Sequence, residues 1–150
     1  MMESLSKDYW LSLGGDLVVA GTDDSGQPWP VGIQNPFAHD HDFVKLIPPP
    51  GRWGVATSGT TKRHGVKDGV PWHHIIDPRT NKPSDSDVIA ATVIAPEAVL
   101  ADALAKVVLL RGTAEGLVWA AQDRNINALA ISHEGKIFTT PDMKNLLMPV

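Results

Sequence analysis

Two short segments of the sequence combine residues that could approach a phosphate group. Gly14 and Gly15 are adjacent, and Ser58 is followed by Gly59. Paired glycines let a ligand come close to the backbone, and a serine hydroxyl and a backbone N–H can both donate hydrogen bonds to a phosphate oxygen. Either segment could instead form only a turn, which is the commoner reason for paired glycines. The residues alone leave both interpretations open.

A second group of candidates lies in the apolar run WHHII, where His73 and His74 are adjacent. Trp72 to Ile76 is predicted to be a buried or half-buried strand, so only one of the two imidazoles faces inward. His74 could act as a general acid or base; the alternative is a histidine that only satisfies its own hydrogen bonds. Asp77 opens an Asp-Pro turn and is expected to accept hydrogen bonds from its own backbone.

Asp102 and Lys106 stand four residues apart in the segment that most strongly predicts a helix. That spacing puts both side chains on one helix face, where an exposed ion pair contributes about 0.2–0.5 kcal/mol. A carboxylate is also the kind of hard oxygen ligand that magnesium prefers. Asp102 is therefore a candidate either for an ordinary surface ion pair or for a metal site.

Two further clusters are weaker candidates. His39 and His41 lie in the polar loop AHDHD, where two histidines would need further ligands to hold a metal. A small basic cluster follows Gly59 and could be a solvated surface or contribute charge beside an anionic ligand; it consists of Lys62, Arg63, His64 and Lys67.

The elements that must position these residues predict an α+β fold with a mostly antiparallel sheet, because strands precede one long helix without regular strand–helix alternation. The turn Gly21 to Gln27 is expected to join the second and third strands as a hairpin, and Thr60 to Gly69 is expected to be a polar, mobile loop. Apolar residues at helical spacing predict one helix from Pro96 that stops at Gly112, and a shorter one follows to about Arg124. The predicted strands cover residues 9–13, 17–20, 29–33, 43–47, 52–57, 72–76, 88–95, 127–132 and 136–140, with some helical character near 143–147.

Length and composition narrow the class of protein. The 150 residues predict one domain, spanning residues 1–150 without an internal linker. The absence of cysteine excludes disulfides and thiolate chemistry, and a net charge of −4 disfavours a nucleic-acid partner. No apolar run approaches the roughly 18 residues of a membrane span. Met1 to Trp10 lacks the apolar core of an export signal, so no such signal is expected and the cellular location is left open.

Four segments resemble, in their order, the ApbE family of FAD-dependent protein flavinyl transferases. They are LGGD at 13–16, ATSG at 56–59, HIIDPRT at 74–80 and ADALA at 101–105. Each is short, but the ordered set is specific, and HIIDPRT is its most telling part. The chain is therefore identified as resembling the C-terminal half of this family.

The resemblance implies that FAD is the substrate and that its FMN half is transferred to a Thr or Ser hydroxyl of a target flavoprotein. It implies that Asp102 is a magnesium ligand and catalytic residue, with His74 a second, weaker catalytic candidate. It also implies that the flavin nucleotide contacts Gly14, Gly15, Ser58, Gly59, His74, Ile75 and Lys106.

Three departures from the family pattern qualify this expectation. The chain lacks the N-terminal half of full-length members. Asn81 stands where the family has Gly, which is a mild change because Asn tolerates a left-handed backbone. Lys106 stands where the family has a metal-ligating Thr, and an ammonium repels a nearby divalent cation. We hypothesise that Lys106 replaces the charge of the metal; the alternative is a decayed site.

These observations leave more than one function open. The first expectation is an FAD:protein FMN transferase-like domain. The alternatives are a non-catalytic or degenerate flavin-nucleotide-binding domain, and an inactive fragment that needs a missing N-terminal half. Apolar surface normally covered by that half would then favour a homodimer.

Overall fold

A six-stranded antiparallel sheet forms the centre of the computed structural model, which describes residues 7–148. Its strand order is β1-β2-β5-β10-β11-β12. The sheet therefore joins segments from both ends of the described chain. Its strands are β1 (Tyr9–Leu13), β2 (Asp16–Ala20), β5 (Arg52–Gly59), β10 (Val88–Ala95), β11 (Asn127–Ser132) and β12 (Ile137–Thr139).

The two central strands explain why the core lies on both faces of this sheet. Every residue of β10 and β11 is buried, and both strands are rich in β-branched or small apolar residues. Side chains alternate between the faces, so one strand supplies two cores. In β10, Val93 faces the core shared with the long helix, whereas Ile94 belongs to the core on the opposite face.

One face of the sheet is covered by α1 (Ala98–Ala120), which packs on β5, β10 and β11. Two helical segments make up this element, because Gly112 between them has φ 80° and ψ 175°, a conformation essentially confined to glycine. The predicted stop at Gly112 is thus confirmed. The element buries a narrow face of mostly small residues: Ala101, Ala105, Val108, Leu109, Gly112, Gly116, Leu117 and Ala120.

The opposite face is covered by a hairpin of β3 (Val31–Gln34) and β4 (Asp42–Leu46) and by the short helix α2 (Pro141–Lys144). Met143 of α2 is fully buried there beside Ile33 and Leu46. Two smaller hairpins flank the sheet. They pair β6 (His64–Lys67) with β7 (Val70–His73), and β8 (Ile76–Asp77) with β9 (Lys82–Pro83).

The predicted α+β class is confirmed, with an antiparallel sheet, one long helical element and one short helix. No helix within residues 7–148 is both long and apolar enough to cross a membrane. Residues 1–6 of the segment considered for an export signal lie outside the described residues.

The hairpin predicted between residues 17–20 and 29–33 is wrong. β2 pairs with β1 across Gly14–Gly15 and with β5 on its other side, while β3 pairs with β4. The two-residue turn at Gly14–Gly15 brings β1 directly beside β2, whereas the longer turn at 21–27 does not bring β3 beside it. Trp29 instead lies against the end of β2, where its indole N–H donates to the Ala20 carbonyl at 3.0 Å.

The strand predicted over Trp72 to Ile76 is also wrong. β7 ends at His73 and is mostly exposed, and the chain bends before β8 begins at Ile76. The preceding polar segment, expected to be a loop, supplies β6 as the partner of β7. The hairpin is exposed although it carries apolar side chains, among them Val66, Val70 and Trp72.

Candidate functional site

The register of the sheet brings the two glycine-containing segments to the same end. Leu17 of β2 pairs with Val55 of β5, so the Gly14–Gly15 turn that precedes β2 lies toward the end of β5, where Ser58 and Gly59 stand. Both turn glycines have positive φ, 66° and 106°. The turn interpretation is therefore correct for this pair, and the same turn leaves its backbone exposed at the sheet edge.

A cleft of about 310 Å³ opens beside this end, on the face opposite α1. Gly14, Gly15 and Gly59 line it, and Thr57 and Thr92 contribute from the neighbouring strands β5 and β10. The two threonine hydroxyls are 2.8 Å apart and hydrogen-bonded. Thr57 is not among the candidates named from the sequence. The alternation of β5 could have revealed it, because Thr57 faces opposite to its buried neighbours Ala56 and Ser58.

Ser58 and Ile75 lie on the α1 side of the sheet rather than in the cleft. Ser58 is buried, two residues after Ala56, and therefore shares the strand face that packs toward α1. Ile75 is buried in the same core as Ala101 and Ala105 of α1. The predicted nucleotide contacts thus divide between the two faces of the sheet, and Ile75 shares a core with the helix that carries Asp102 and Lys106.

Asp102 and Lys106 form the ion pair that their spacing predicts. The Lys106 ammonium contacts Asp102 Oδ1 and lies 3.4 Å from the Asp102 carbonyl oxygen. Both side chains are partly exposed, Lys106 at 44% and Asp102 at 39%. At this exposure the pair contributes little to folding, so it is available for a role in binding.

The two adjacent histidines have different surroundings. His73 is half-buried, and its Nε2 lies 2.9 Å from the Ser84 carbonyl oxygen, to which it donates. Its Nδ1 is buried and has no hydrogen-bond partner within the described part of the chain. His74 is exposed, and its backbone N–H and its Nδ1 approach the Arg63 carbonyl oxygen at 3.1 Å and 3.3 Å. The inward-facing imidazole is therefore that of His73, whereas His74 is open to solvent.

The turn after His74 is held by Asp77, as predicted. The Asp77 carboxylate accepts from the Arg79 backbone N–H at 2.8 Å and from the Arg79 guanidinium at 2.7 Å. These hydrogen bonds hold the pKa of Asp77 below its usual range. Asn81 completes the turn with φ 56°, the left-handed conformation that the sequence predicts for it. Asp77 is thus a structural residue that fixes where His74 and Ile75 emerge.

The loop histidines do not form a metal centre. His41 contacts Asp40 and the Asn35 side chain, both at 2.8 Å, and the imidazole lowers the pKa of Asp40. His39 lies 3.3 Å from the Thr61 hydroxyl. Across residues 7–148, no three His, Asp or Glu side chains are close enough together to hold a metal ion.

A second and larger cavity, of about 1170 Å³, lies under the β6–β7 hairpin. His64, Trp72, His73 and Phe138 contribute to its lining. None of the predicted site residues lines it. The basic cluster is divided between the two openings, because Lys62 lines the small cleft and His64 the large cavity.

The fold and the placement of these motifs define the class expected from the sequence, an ApbE-like α+β domain. LGGD spans the end of β1 and the start of β2, and ATSG ends β5. HIIDPRT begins just after β7 and runs through β8 into its turn, and ADALA lies in the first turns of α1.

Comparison with known proteins agrees with this class. The profile of the ApbE family matches residues 1–130. An FAD:protein FMN transferase of Vibrio cholerae is 33% identical over 114 residues, which is 76% of this chain and 34% of the relative. An FAD:protein FMN transferase of Salmonella typhimurium is 32% identical over 143 residues, 93% of this chain and 40% of the relative.

Solved structures show the same relationship. The ApbE protein of Thermotoga maritima superposes with a TM-score of 0.79 at 28% identity, covering 94% of this chain and 45% of that one. The flavin transferase ApbE of Vibrio cholerae gives 0.76 at 28% identity, covering 97% and 46%. The chain belongs to the ApbE family. It spans less than half the length of these relatives.

Proposed function

We propose that this chain is the part of an FAD:protein FMN transferase that binds the flavin nucleotide and positions it for transfer. FAD is the substrate, and the acceptor is a Thr or Ser hydroxyl of a target flavoprotein. Relatives named FAD:protein FMN transferase align with most of the chain, which supports this function. We propose that residues 1–150 act as a single domain within it.

The observation that carries the proposal is the placement of the four family segments on the sheet: LGGD and ATSG contribute to a cleft on one face, and HIIDPRT and ADALA contribute to the core on the other face. The Gly14–Gly15 backbone and Gly59 line one cleft. On the α1 side, Ile75 packs beneath the helix that bears the Asp102–Lys106 pair. Exposed backbone amides and a lysine ammonium are the groups that recognise a diphosphate. We assign the nucleotide contacts to Gly14, Gly15, Ser58, Gly59, His74, Ile75 and Lys106.

The proposed reaction is a phosphoryl transfer at the FMN phosphorus of FAD. The acceptor hydroxyl oxygen forms a new P–O bond, the pyrophosphate P–O bond breaks, and AMP leaves. The acceptor proton passes to a base, and His74 is the candidate because its imidazole is exposed and it begins the family segment HIIDPRT. Asp102 holds and orients Lys106, whose charge stabilises the phosphate oxygens as the bond breaks.

The magnesium implied by the family does not fit the residues present. Asp102 is the only predicted metal ligand of this chain, and its carboxylate is paired with the Lys106 ammonium. A lysine has three N–H donors and no acceptor, so it cannot serve as a second ligand. The proposed function therefore includes no step that depends on a metal bound by this chain.

We include self-association in the proposal, with a second copy as the occupant of the β1 edge. β1 is an outer strand of the sheet and pairs only with β2 within residues 7–148. It exposes Trp10 and Leu13, the latter at 71%. An unpaired apolar edge is a ready template for another strand. Light scattering on the purified chain tests this: a dimer supports it, and a monomer at 100 µM or so contradicts it.

The transferase proposal is tested with the purified chain, FAD and an acceptor flavoprotein domain whose target Thr is replaced by Ala in the control. FAD binding is followed by flavin fluorescence, covalent transfer by flavin fluorescence in a denaturing gel, and AMP by chromatography. Stoichiometric AMP and labelled acceptor support the transferase. Binding without transfer favours a degenerate nucleotide-binding domain. Neither binding nor transfer favours an inactive fragment that needs its missing half.

A further inference from the structure

Three carboxylates on or near the α1 side of the sheet are already paired with basic side chains of this chain. Asp102 is paired with Lys106 on α1. Glu97, just before the helix, accepts two hydrogen bonds from the Arg52 guanidinium, at 3.0 Å and 3.2 Å. Asp77 is paired with Arg79 at 2.7 Å. A divalent cation arriving here would have to displace an ammonium or guanidinium from its partner.

The Lys106 ammonium is positioned to bind an anion. Two of its three N–H groups can be satisfied by Asp102, through the carboxylate Oδ1 and the carbonyl oxygen at 3.4 Å. The third remains, and the side chain is 44% exposed. Asp102 thereby holds the ammonium near the helix surface instead of letting it extend freely into water. A tethered point charge of this kind suits a phosphate oxygen.

We propose that Lys106 takes the place of the divalent cation in this chain, so that a flavin diphosphate is bound without metal. The inference rests on the proposed function, because it takes FAD as the ligand. It goes further by assigning the charge that neutralises the pyrophosphate to a side chain. Asp102 is then a positioning residue for Lys106 and not a metal ligand.

The first test measures FAD affinity of the wild-type chain and of Lys106→Ala and Lys106→Thr, each in excess EDTA and in millimolar Mg²⁺. We expect the wild-type Kd to be the same in both buffers. In EDTA, each variant should bind about tenfold more weakly, the loss typical of one charge-assisted hydrogen bond. Wild-type binding that weakens tenfold in EDTA overturns the proposal, as does variant binding equal to wild type.

Lys45→Ala is the matched control. Lys45 is also paired with an aspartate on its own element, Asp42 at 3.9 Å, but it lies on β4, away from α1. Its removal should leave the FAD affinity unchanged. Far-ultraviolet circular dichroism should show that all the variants fold, since each removes only an exposed pair. Lys106→Arg keeps the positive charge and should retain most of the affinity.

The second test needs no flavin and separates failure of this inference from failure of the proposed function. Binding of Mn²⁺ alone is measured by electron paramagnetic resonance for the wild-type chain and for Asp102→Asn. Equal Mn²⁺ binding by the two proteins supports the inference. Saturable binding that is lost in Asp102→Asn overturns it. If FAD does not bind in either buffer, the proposed function fails for this chain, and the Mn²⁺ comparison still decides whether Asp102 is a metal ligand.

Discussion

Gly54 determines how closely α1 can approach the sheet, and its replacement by alanine tests that packing. A Cβ at this position would lie 2.3 Å from the Ala98 nitrogen, 2.4 Å from Ala98 Cα and 2.5 Å from the Glu97 carbonyl carbon. Ordinary carbon contacts are about 3.5–4.0 Å, so the start of α1 must move outward by roughly 1 Å. All three obstructing atoms are backbone, and no side chain can rotate to relieve the contact.

The cost follows from what that movement separates. Ala101 and Ala105 are fully buried against the sheet one and two turns further along α1. Overpacking of this kind costs about 1–3 kcal/mol, and backbone obstruction places Gly54→Ala at the upper end. Alanine regains about 0.5–1 kcal/mol because it restricts the unfolded chain more than glycine does. We expect a net loss of about 2 kcal/mol, a fall in Tm of roughly 4–8 °C for a chain of this size.

Urea denaturation followed by circular dichroism measures this loss, and Gly59→Ala is the matched control on the same strand. A Cβ at Gly59 would meet the Ile89 carbonyl oxygen at 3.3 Å, a tight contact that a small shift can relieve. Gly59→Ala should therefore cost less than half as much. Equal stability of Gly54→Ala and wild type, or equal losses in the two variants, would refute the close helix–sheet contact.

Three further predictions concern single side chains. Asn81→Gly should leave the free energy of unfolding within about 0.5 kcal/mol of wild type, because both Asn and Gly accept the left-handed backbone at this position. Asn81→Ala should lose about 1 kcal/mol, because alanine is strained in that conformation. Equal free energies of the two variants in urea titrations would contradict this. Asp87→Ala should cost about 1 kcal/mol at pH 7, because Asp87 accepts from the Thr113 backbone N–H at 2.9 Å and caps the second segment of α1. Partial burial acts to raise the pKa of Asp87, but the Thr113 hydrogen bonds outweigh it and leave the pKa lowered. The stability that this carboxylate contributes is therefore present above about pH 4, and it is lost as the pH falls through the folded-state pKa. The difference between wild type and Asp87→Ala should therefore shrink in acid, and a pH-independent difference would contradict the cap. Arg79→Ala should remove the largest cause of the lowered pKa of Asp77, the side-chain hydrogen bonds from the guanidinium, while the backbone N–H of residue 79 still donates. The carboxyl should then titrate nearer its usual range by NMR, and an unchanged midpoint would refute the pairing.

Much of the fold could be predicted because its signals are local. The apolar, β-branched run at 88–95 and the run at 127–132 became β10 and β11 with those bounds. Gly112 interrupts the long helical element as predicted, because its backbone conformation is open to glycine alone. The pairing of β3 with β4 could not be read in the same way. β3 pairs with β4 because both edges of β2 are already occupied by β1 and β5. The β2–β5 pairing joins residues far apart in the sequence, so no local pattern indicates it.

The buried face of α1 shows a different limit of sequence patterns. Apolar residues at helical spacing predict the helix correctly, yet Val99 of that set is 79% exposed and Leu100 is 39% exposed. In its first turns the helix buries Ala101 and Ala105 instead, and larger residues are buried only from Val108 onward. Apolar residues surround the helix, so their spacing does not select a face. The selection comes from the sheet, since a strand presenting Gly54 and Ala56 accepts a helix face that is equally small.

The candidate site divides along the same line between local and long-range information. The Asp102–Lys106 pair follows from helical spacing alone, because residues four apart share a face wherever the helix lies. To predict that Gly14–Gly15 lies near the end of β5, one has to know the β2–β5 register. To predict that Ser58 faces away from the cleft, one has to know which face of β5 each residue occupies. Small residues let α1 settle directly on the strand that ends in Ser58–Gly59. The same close packing that decides the buried face of α1 therefore also fixes the position of the Asp102–Lys106 pair relative to β5.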